Sequence, residues 1–132
     1  MKNTHVYEPI FKNFPHFLHS GDYNPDQWRD CPDILEEDIR LMKLSGCNTM
    51  TLGIFSWTML EPAEDKFDFS FMDEMMDKLA ANGIKVILAT PSGARPAWMS
   101  KAHPEVLRVD RELRHLTHGG RHNHCYTSTY YR

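Results

Sequence analysis

The stretch PDILEEDIRLMKLSGCNTMTLGIF, residues 32 to 55, carries the pattern that decides the fold. Its first half places Leu35, Ile39 and Met42 at the i, i+4, i+7 spacing of one helix face. Pro32 suits the first helical position, where its missing N–H costs nothing. The second half is a short and nearly continuous apolar run, which is typical of a strand covered on both faces. The stretch therefore predicts a helix followed by a buried strand.

The same order recurs further along the chain. FSFMDEMMDKLAANG, residues 69 to 83, predicts a second helix, with Ser70 as its N-cap and Asp73 as a weak capping-box partner. IKVILATP, residues 84 to 91, predicts a second buried strand, and HFLHSG, residues 16 to 21, predicts a strand before the first helix. Strands that alternate with helices indicate an α/β fold with a parallel sheet and helices outside it.

Two architectures fit this alternation, a doubly wound open sheet and a TIM (β/α)8 barrel. No glycine-rich phosphate loop follows any predicted strand, which disfavours a nucleotide-binding doubly wound sheet. The three tryptophans, Trp28, Trp57 and Trp98, each fall in the segment after a predicted strand. Loops at the carboxyl ends of barrel strands build active sites, so as a group these aromatics favour a small-molecule pocket over structural plugs.

Composition narrows the functional class. Hydrophobic residues make up 41% and charged residues 25% of the 132 residues, and the net charge is −3, so neither a nucleic-acid nor a membrane partner is expected. No apolar run approaches the roughly 20 residues of a membrane span. Three cysteines do not suggest a disulfide framework, and the first residues lack the apolar core of a secretory signal. A cytoplasmic protein is expected.

Several motifs occur together in one order: GDYNPDQW (21 to 28), GIFSWTMLEP (53 to 62), NGIKVILATPSGARPAWMSKAHPEVL (82 to 107) and GRHNHC near the end. With them, the chain from about residue 16 onward resembles the N-terminal part of a glycoside hydrolase family 42 β-galactosidase. The resemblance implies a TIM-barrel catalytic domain and retaining hydrolysis of terminal, non-reducing β-D-galactosides. Retention requires two carboxyl groups about 5–5.5 Å apart, one nucleophile and one acid/base.

The resemblance also sets expectations for domain organisation. Residues 1–15 are expected to be an N-terminal extension, and residues 16–132 the first part of the barrel, with about three βα units and an incomplete fold. The family's acid/base glutamate lies in an Asn-Glu pair, which this sequence lacks. Both catalytic glutamates are therefore expected beyond residue 132, and these residues alone are expected to be inactive and marginally stable. The alternatives are a noncatalytic carbohydrate-binding or truncated inactive barrel fragment, and a small metal-binding protein.

The candidate site residues follow from the same resemblance. Arg121 matches the family's substrate-binding arginine, and a guanidinium fork can hold two galactose hydroxyls. Cys125 matches one ligand of a structural zinc found in many members, whose other ligands come from a later cysteine cluster. A local zinc site built from Cys125 and nearby histidines (His118, His122, His124) is disfavoured, because a closed site needs a defined geometry.

Further expectations are less specific. Glu61 follows the strand predicted in the stretch that ends at residue 55, and a loop-orienting role is favoured over a catalytic one. Asp22, Tyr23 and Asn24 follow the first strand and are candidates either for shaping a sugar pocket or for turning the loop. The full-length family members are often trimeric, so a homo-oligomeric parent is expected.

Overall fold

The computed structural model describes residues 8–117, 120–122 and 124–131. Within them a parallel sheet has the strand order β1-β2-β3, with β1 at Asp22–Tyr23, β2 at Thr49–Leu52 and β3 at Lys85–Leu88. The helices are α1 (Pro32–Leu44), α2 (Trp57–Leu60), α3 (Ser70–Ala81) and α4 (Ala97–Ala102), with short 3₁₀ turns at Pro25–Trp28 and Pro104–Val106. The predicted alternation of helices with parallel strands is confirmed. No helix of the described ranges combines the length and apolarity that a bilayer crossing requires.

The core lies between the sheet and helices α1 and α3. Helix α1 buries the stripe that its sequence spacing predicted, helix α3 buries Met72, Met75 and Leu79, and the sheet contributes alternate residues of β2. Leu52, Met75 and Leu79 are fully buried at the centre of this cluster. Its other members are Tyr23, Leu35, Ile39, Met42, Met50, Met72 and Ile84.

Both long helices end at the glycines that follow them. Gly46 and Gly83 each have φ of +76°, a left-handed conformation that glycine adopts without the steric penalty of a Cβ. After each glycine the chain turns directly into the next strand. β2 pairs with β3 from Thr49–Lys85 to Leu52–Leu88, so the carboxyl ends of the two strands are level.

The first strand is shorter and later than predicted. The structure places β1 at Asp22–Tyr23 rather than at residues 16 to 21. The side chain of Asn48 explains the difference, because its Oδ1 accepts the His19 N–H at 3.0 Å and its Nδ2 donates to the Phe17 carbonyl at 2.7 Å. The Asn48 side chain thus binds backbone groups of residues 17 and 19 that would otherwise pair with a neighbouring strand. One backbone bond remains there, in which the Asn48 N–H donates to the His19 carbonyl at 3.1 Å.

The prediction that Ser70 is the N-cap of α3 is also wrong. Ser70 is the first residue of the helix, and Phe69 occupies the N-cap position without a side-chain bond. Asp68 does the capping instead, since its Oδ1 accepts from the Ser70 N–H at 3.0 Å and from the Ser70 hydroxyl at 2.6 Å. These two bonds hold the pKa of Asp68 below its usual range, and the bond from the Ser70 hydroxyl has the larger effect. Asp73 has no part in the cap.

The strand β3 is more exposed than a buried strand should be. Ile87 is 46% and Leu88 is 60% exposed, which corrects the prediction drawn from its continuous apolar run. The reason is its place at the end of the strand order, where no described strand pairs with its outer edge. A continuous apolar run of this kind is typical of a strand covered on both faces, and the described residues do not cover this strand completely.

The packing of α3 gives a first prediction. Leu79→Ala removes a fully buried side chain, and we expect the free energy of unfolding to fall by about 3 kcal/mol. Leu44→Ala on α1 is the matched control, because Leu44 is 75% exposed and its loss should change little. Urea denaturation followed by far-UV circular dichroism measures both. Equal losses for the two variants would show that α3 does not pack as described.

Candidate functional site

The loops that follow β2 and β3 meet at Glu61. This residue is only 9% exposed. Its Oε2 accepts the indole N–H of Trp57 at 2.7 Å, and its Oε1 accepts the Asp65 backbone N–H at 3.1 Å. Its backbone carbonyl accepts the indole N–H of Trp98 at 2.8 Å. One acidic residue therefore joins two loops that are far apart in sequence.

Local sequence prepares this arrangement. Trp57 and Glu61 are four residues apart, so the turn of helix α2 brings the indole and the carboxylate to the same side. The Glu61 N–H also donates to the Trp57 carbonyl at 2.8 Å. Because both carboxylate oxygens accept protein hydrogen bonds, the contacts of Glu61 are those of a residue that orients loops.

Arg121 lies beside the same two loops. It is exposed, and its guanidinium carbon lies 4.6 Å from the ring centroid of Phe55, the third residue after β2. The Phe55 ring in turn fits against Gly93 in the loop after β3, where an added Cβ would come within 2.8 Å of the ring. A cation over an aromatic face is an attractive contact, and it places the predicted sugar-binding arginine at the carboxyl end of the strands.

Arg121 belongs to the C-terminal segment, by which we mean residues 120–122 and 124–131. The Cys125 N–H donates to the Val106 carbonyl at 2.8 Å, and His124 forms an antiparallel bridge with Leu107. The Tyr131 ring lies 5.8 Å from that of Trp57. The segment is thus attached both to the turn after α4 and to the loop after β2.

His124 is the buried centre of this segment. It is 1% exposed, its ring stacks on Tyr131 at 4.2 Å between centroids, and Tyr126 meets it edge-on at 4.9 Å. Burial lowers the pKa of His124, and the nearby charges of Arg95 and His122 act in the same direction. His124 is therefore a neutral imidazole that packs as an aromatic ring. The sequence did not indicate this role.

Cys125 has the chemistry of a metal ligand but no local partners for one. Its Sγ lies 3.1 Å from the Thr127 hydroxyl. This hydrogen bond is the main reason why the pKa of the Cys125 thiol is lowered. Among the described residues, no three histidine, cysteine, aspartate or glutamate side chains are grouped to hold a metal ion. His122 and His124 have ring centroids 5.9 Å apart, and His118 lies outside the described residues. Cys125 therefore offers one thiolate, and one ligand does not make a zinc site.

The polar residues predicted to follow the first strand lie in a different region, and two of them, Asp22 and Tyr23, form β1 itself. Asp22, Asn24 and Trp28 line an open cavity of about 750 Å³ beside helix α1, which contributes Asp38. Burial raises the pKa of Tyr23, and the Asp38 carboxylate adds to the rise. Trp28 is 44% exposed there, whereas Trp57 and Trp98 both donate to Glu61. The three tryptophans thus do not form one cluster, and two of them have a structural role.

A second acidic contact was not foreseen from the sequence. The Tyr130 hydroxyl donates to Oε1 of Glu64, and the His103 ring stacks on the Tyr130 ring with centroids 3.3 Å apart. This hydrogen bond is the first cause of a lowered pKa for Glu64, and it raises the pKa of Tyr130 to about 12. Glu64 and Tyr130 are 66 positions apart, so no spacing could reveal their contact.

Comparison with known proteins identifies close relatives. The β-galactosidase family model of glycoside hydrolase family 42 matches residues 22–132. The β-galactosidase BglY of Alicyclobacillus acidocaldarius is 57% identical over 94% of this chain and 18% of its own length. The β-galactosidase Pbg of Clostridium perfringens is 56% identical over 100% of this chain and 19% of its own length.

Solved structures agree with the sequence relatives. The cold-adapted β-galactosidase of Rahnella sp. R3 superposes with a TM-score of 0.82 at 56% identity, over 86% of this chain and 17% of that one. Gan42B, a β-galactosidase of glycoside hydrolase family 42, gives a TM-score of 0.82 at 58% identity with the same coverage. The chain therefore spans less than a fifth of the length of these relatives.

The contacts of Glu61 predict a specific defect. Glu61→Ala leaves the Trp57 indole and the Asp65 N–H without their acceptor, and we expect a loss of about 2 kcal/mol in the free energy of unfolding. Glu61→Gln keeps an acceptor oxygen and should lose less. Tryptophan fluorescence during urea denaturation measures both variants. A Glu61→Ala protein as stable as the parent would contradict the joining role.

The Glu64–Tyr130 bond predicts a pH dependence at both ends of the scale. Because the folded pKa of Tyr130 is raised to about 12, its stabilising effect is complete below the unfolded pKa and disappears as pH rises through about 12. Because the pKa of Glu64 is lowered, its effect is present above the unfolded pKa and is lost as pH falls through the folded one. Difference absorbance near 295 nm, comparing the parent with Tyr130→Phe, follows the phenol; a Tyr130 titration at the ordinary value near 10 would contradict the bond.

Proposed function

The chain belongs to the β-galactosidases of glycoside hydrolase family 42, and we propose that the protein hydrolyses terminal β-D-galactosides. On this proposal the three parallel strands are the first strands of a (β/α)8 barrel, and their carboxyl ends form part of its mouth. The level ends of β2 and β3 and the convergence of their loops support that placement.

The observation that carries the proposal is the position of Arg121. Its guanidinium lies over Phe55, whose ring packs against Gly93 in the loop after β3, and Arg121 is exposed. A fixed and permanently charged fork of donors can bind the hydroxyl oxygens of a galactose ring. Stacking on Phe55 restrains the guanidinium through its face, a contact that occupies none of its N–H groups.

The residues described here bind and orient rather than perform the bond cleavage. Retaining hydrolysis needs one carboxylate as nucleophile and one carboxylic acid as proton donor. At the end of α2 and in the loop after it, the Glu61 carboxylate accepts two protein hydrogen bonds and the Glu64 carboxylate accepts the Tyr130 hydroxyl. Both carboxylates are therefore engaged by protein donors, and neither is free to act as the nucleophile or the proton donor. We assign no catalytic glutamate within this sequence.

A noncatalytic galactoside-binding module is the second candidate. The same arrangement supports it, because Arg121 can hold a sugar without any cleavage. The two candidates differ in a single measurement, the release of chromophore from a nitrophenyl β-D-galactoside. Turnover supports the hydrolase, and saturable binding without turnover supports the module.

Other features of the family remain proposals for this protein. We propose that Cys125 supplies one thiolate to a structural zinc completed by ligands elsewhere, which its lowered thiol pKa supports. The three cysteines are free, which fits a reducing cytoplasm. A homotrimer is proposed from the family resemblance. Zinc content after dialysis against a chelator, and light scattering, test the metal and the oligomer.

Arg121 gives the direct test of the proposed function. In the protein as its gene encodes it, Arg121→Ala should raise KM for nitrophenyl β-D-galactoside by about tenfold to a hundredfold, since hydrogen bonds to a charged donor are lost. Arg111→Ala is the matched control, because Arg111 is 91% exposed and pairs only with Glu112 in the described structure. Isothermal titration with isopropyl β-thiogalactoside measures binding if turnover is absent. Unchanged affinity in Arg121→Ala would overturn the assigned role.

A further inference from the structure

His103 occupies a position between two carboxylates. Its Nε2 lies 3.6 Å from Glu64 Oε2, and its Nδ1 lies 3.6 Å from Glu105 Oε1. Its ring face stacks on Tyr130, whose hydroxyl donates to the same Glu64. The imidazole side chain is 25% exposed, so these contacts cover most of its surface.

These contacts join three parts of the chain. Glu64 lies in the loop after α2, His103 caps the carboxyl end of α4, and Tyr130 lies in the C-terminal segment. His103 also begins the turn that holds that segment, because the Val106 N–H donates to the His103 carbonyl at 3.0 Å. The carbonyl of Val106 then accepts the Cys125 N–H at 2.8 Å. A single residue therefore contacts the segment through its ring and supports its attachment point through its backbone.

The charges around this contact are predominantly negative. Glu64 and Glu105 face the two ring nitrogens of His103. Glu61 and Asp65, in the same loop as Glu64, act electrostatically on Tyr130. A protonated imidazole forms an ion pair with Glu64 and another with Glu105, whereas a neutral imidazole forms neither. Tyr130, in the C-terminal segment, contacts both His103 and Glu64, so ion pairs that order these two residues also order the surface on which Tyr130 rests.

The position of Arg121 is linked to this attachment through the segment that carries both Arg121 and Tyr130. It lies on the same segment, and its one described aromatic contact is with Phe55, in the loop that also leads to Glu64. A small displacement of an arginine fork weakens a bidentate sugar contact, because hydrogen bonds fall off steeply with distance and angle.

We propose that His103 is a positioning residue that fixes the C-terminal segment, and with it Arg121, at the mouth of the site, more firmly when His103 is protonated. This role rests on the proposed function, since it concerns the galactoside contact of Arg121. It makes galactoside affinity depend on pH through a histidine that does not touch the sugar.

The experiment compares His103→Phe with His19→Phe in the protein as its gene encodes it. Phenylalanine keeps a ring to stack on Tyr130 but removes both nitrogens, and His19 is exposed with only backbone contacts in the described structure. The parent is expected to show hydrogen–deuterium exchange of the C-terminal segment about threefold slower at pH 5.5 than at pH 8, after correction for intrinsic rates. His103→Phe should lose that difference, and His19→Phe should keep it.

Kinetics supply the second measurement. At pH 5.5, His103→Phe should raise KM for nitrophenyl β-D-galactoside about threefold with kcat nearly unchanged, because the lost pairs act on binding and not on the cleavage step. At pH 8 the parent and His103→Phe should be alike. A retained pH difference in segment exchange in His103→Phe would overturn the positioning role.

Glu64→Gln with Glu105→Gln keeps the test decisive if His103→Phe does not fold. This double variant retains His103 and an acceptor for Tyr130 but removes both negative partners, so the pH difference in exchange should again disappear. Its persistence would overturn the proposal. If exchange behaves as expected while the parent neither cleaves nitrophenyl β-D-galactoside nor binds isopropyl β-thiogalactoside, the positioning of the segment stands and the proposed function fails.

Discussion

The packing of α1 and α3 against one face of β2 is the constraint on which the rest of the structure depends. Leu52 in the strand and Met75 and Leu79 in α3 are fully buried, so β2 cannot slide without exposing apolar surface. Parallel strands fixed in register end together, and the level ends of β2 and β3 bring their following loops to one edge. Every contact of the candidate site is made by those loops or by segments that rest on them.

A buried acidic residue then decides how the loops are arranged. Placing the Glu61 carboxylate at 9% exposure carries a desolvation cost, which its hydrogen bonds with the Trp57 indole and the Asp65 N–H offset. The Trp98 indole on its carbonyl adds the loop after β3. This use of two tryptophans as hydrogen-bond donors separates the framework of the site from the contact between the half-buried Phe55 ring and the exposed Arg121.

The C-terminal segment is attached by weaker and more adjustable contacts. Tyr130 and His103 reach Glu64 on half-exposed surface, where each ion pair contributes little and responds to pH. His124, by contrast, is buried among aromatic rings and holds its part of the segment independently of charge. The segment that carries Arg121 thus has one fixed attachment and one that depends on protonation.

The sequence by itself determined the two helices, the parallel α/β order and the family, because apolar spacing, helix-ending glycines and motif order are all local in the chain. It failed where a distant side chain replaced a local signal, as Asn48 did for the first strand, and where a neighbouring residue proved the better cap, as Asp68 did for Ser70. The motif singled out Arg121, whose sugar-binding role stays a prediction, whereas its stacking on Phe55 could not be predicted from the sequence. Only tertiary structure decided that Glu61 joins two loops and that Glu64, His103 and Tyr130 meet, since contacts between residues tens of positions apart leave no periodicity to detect.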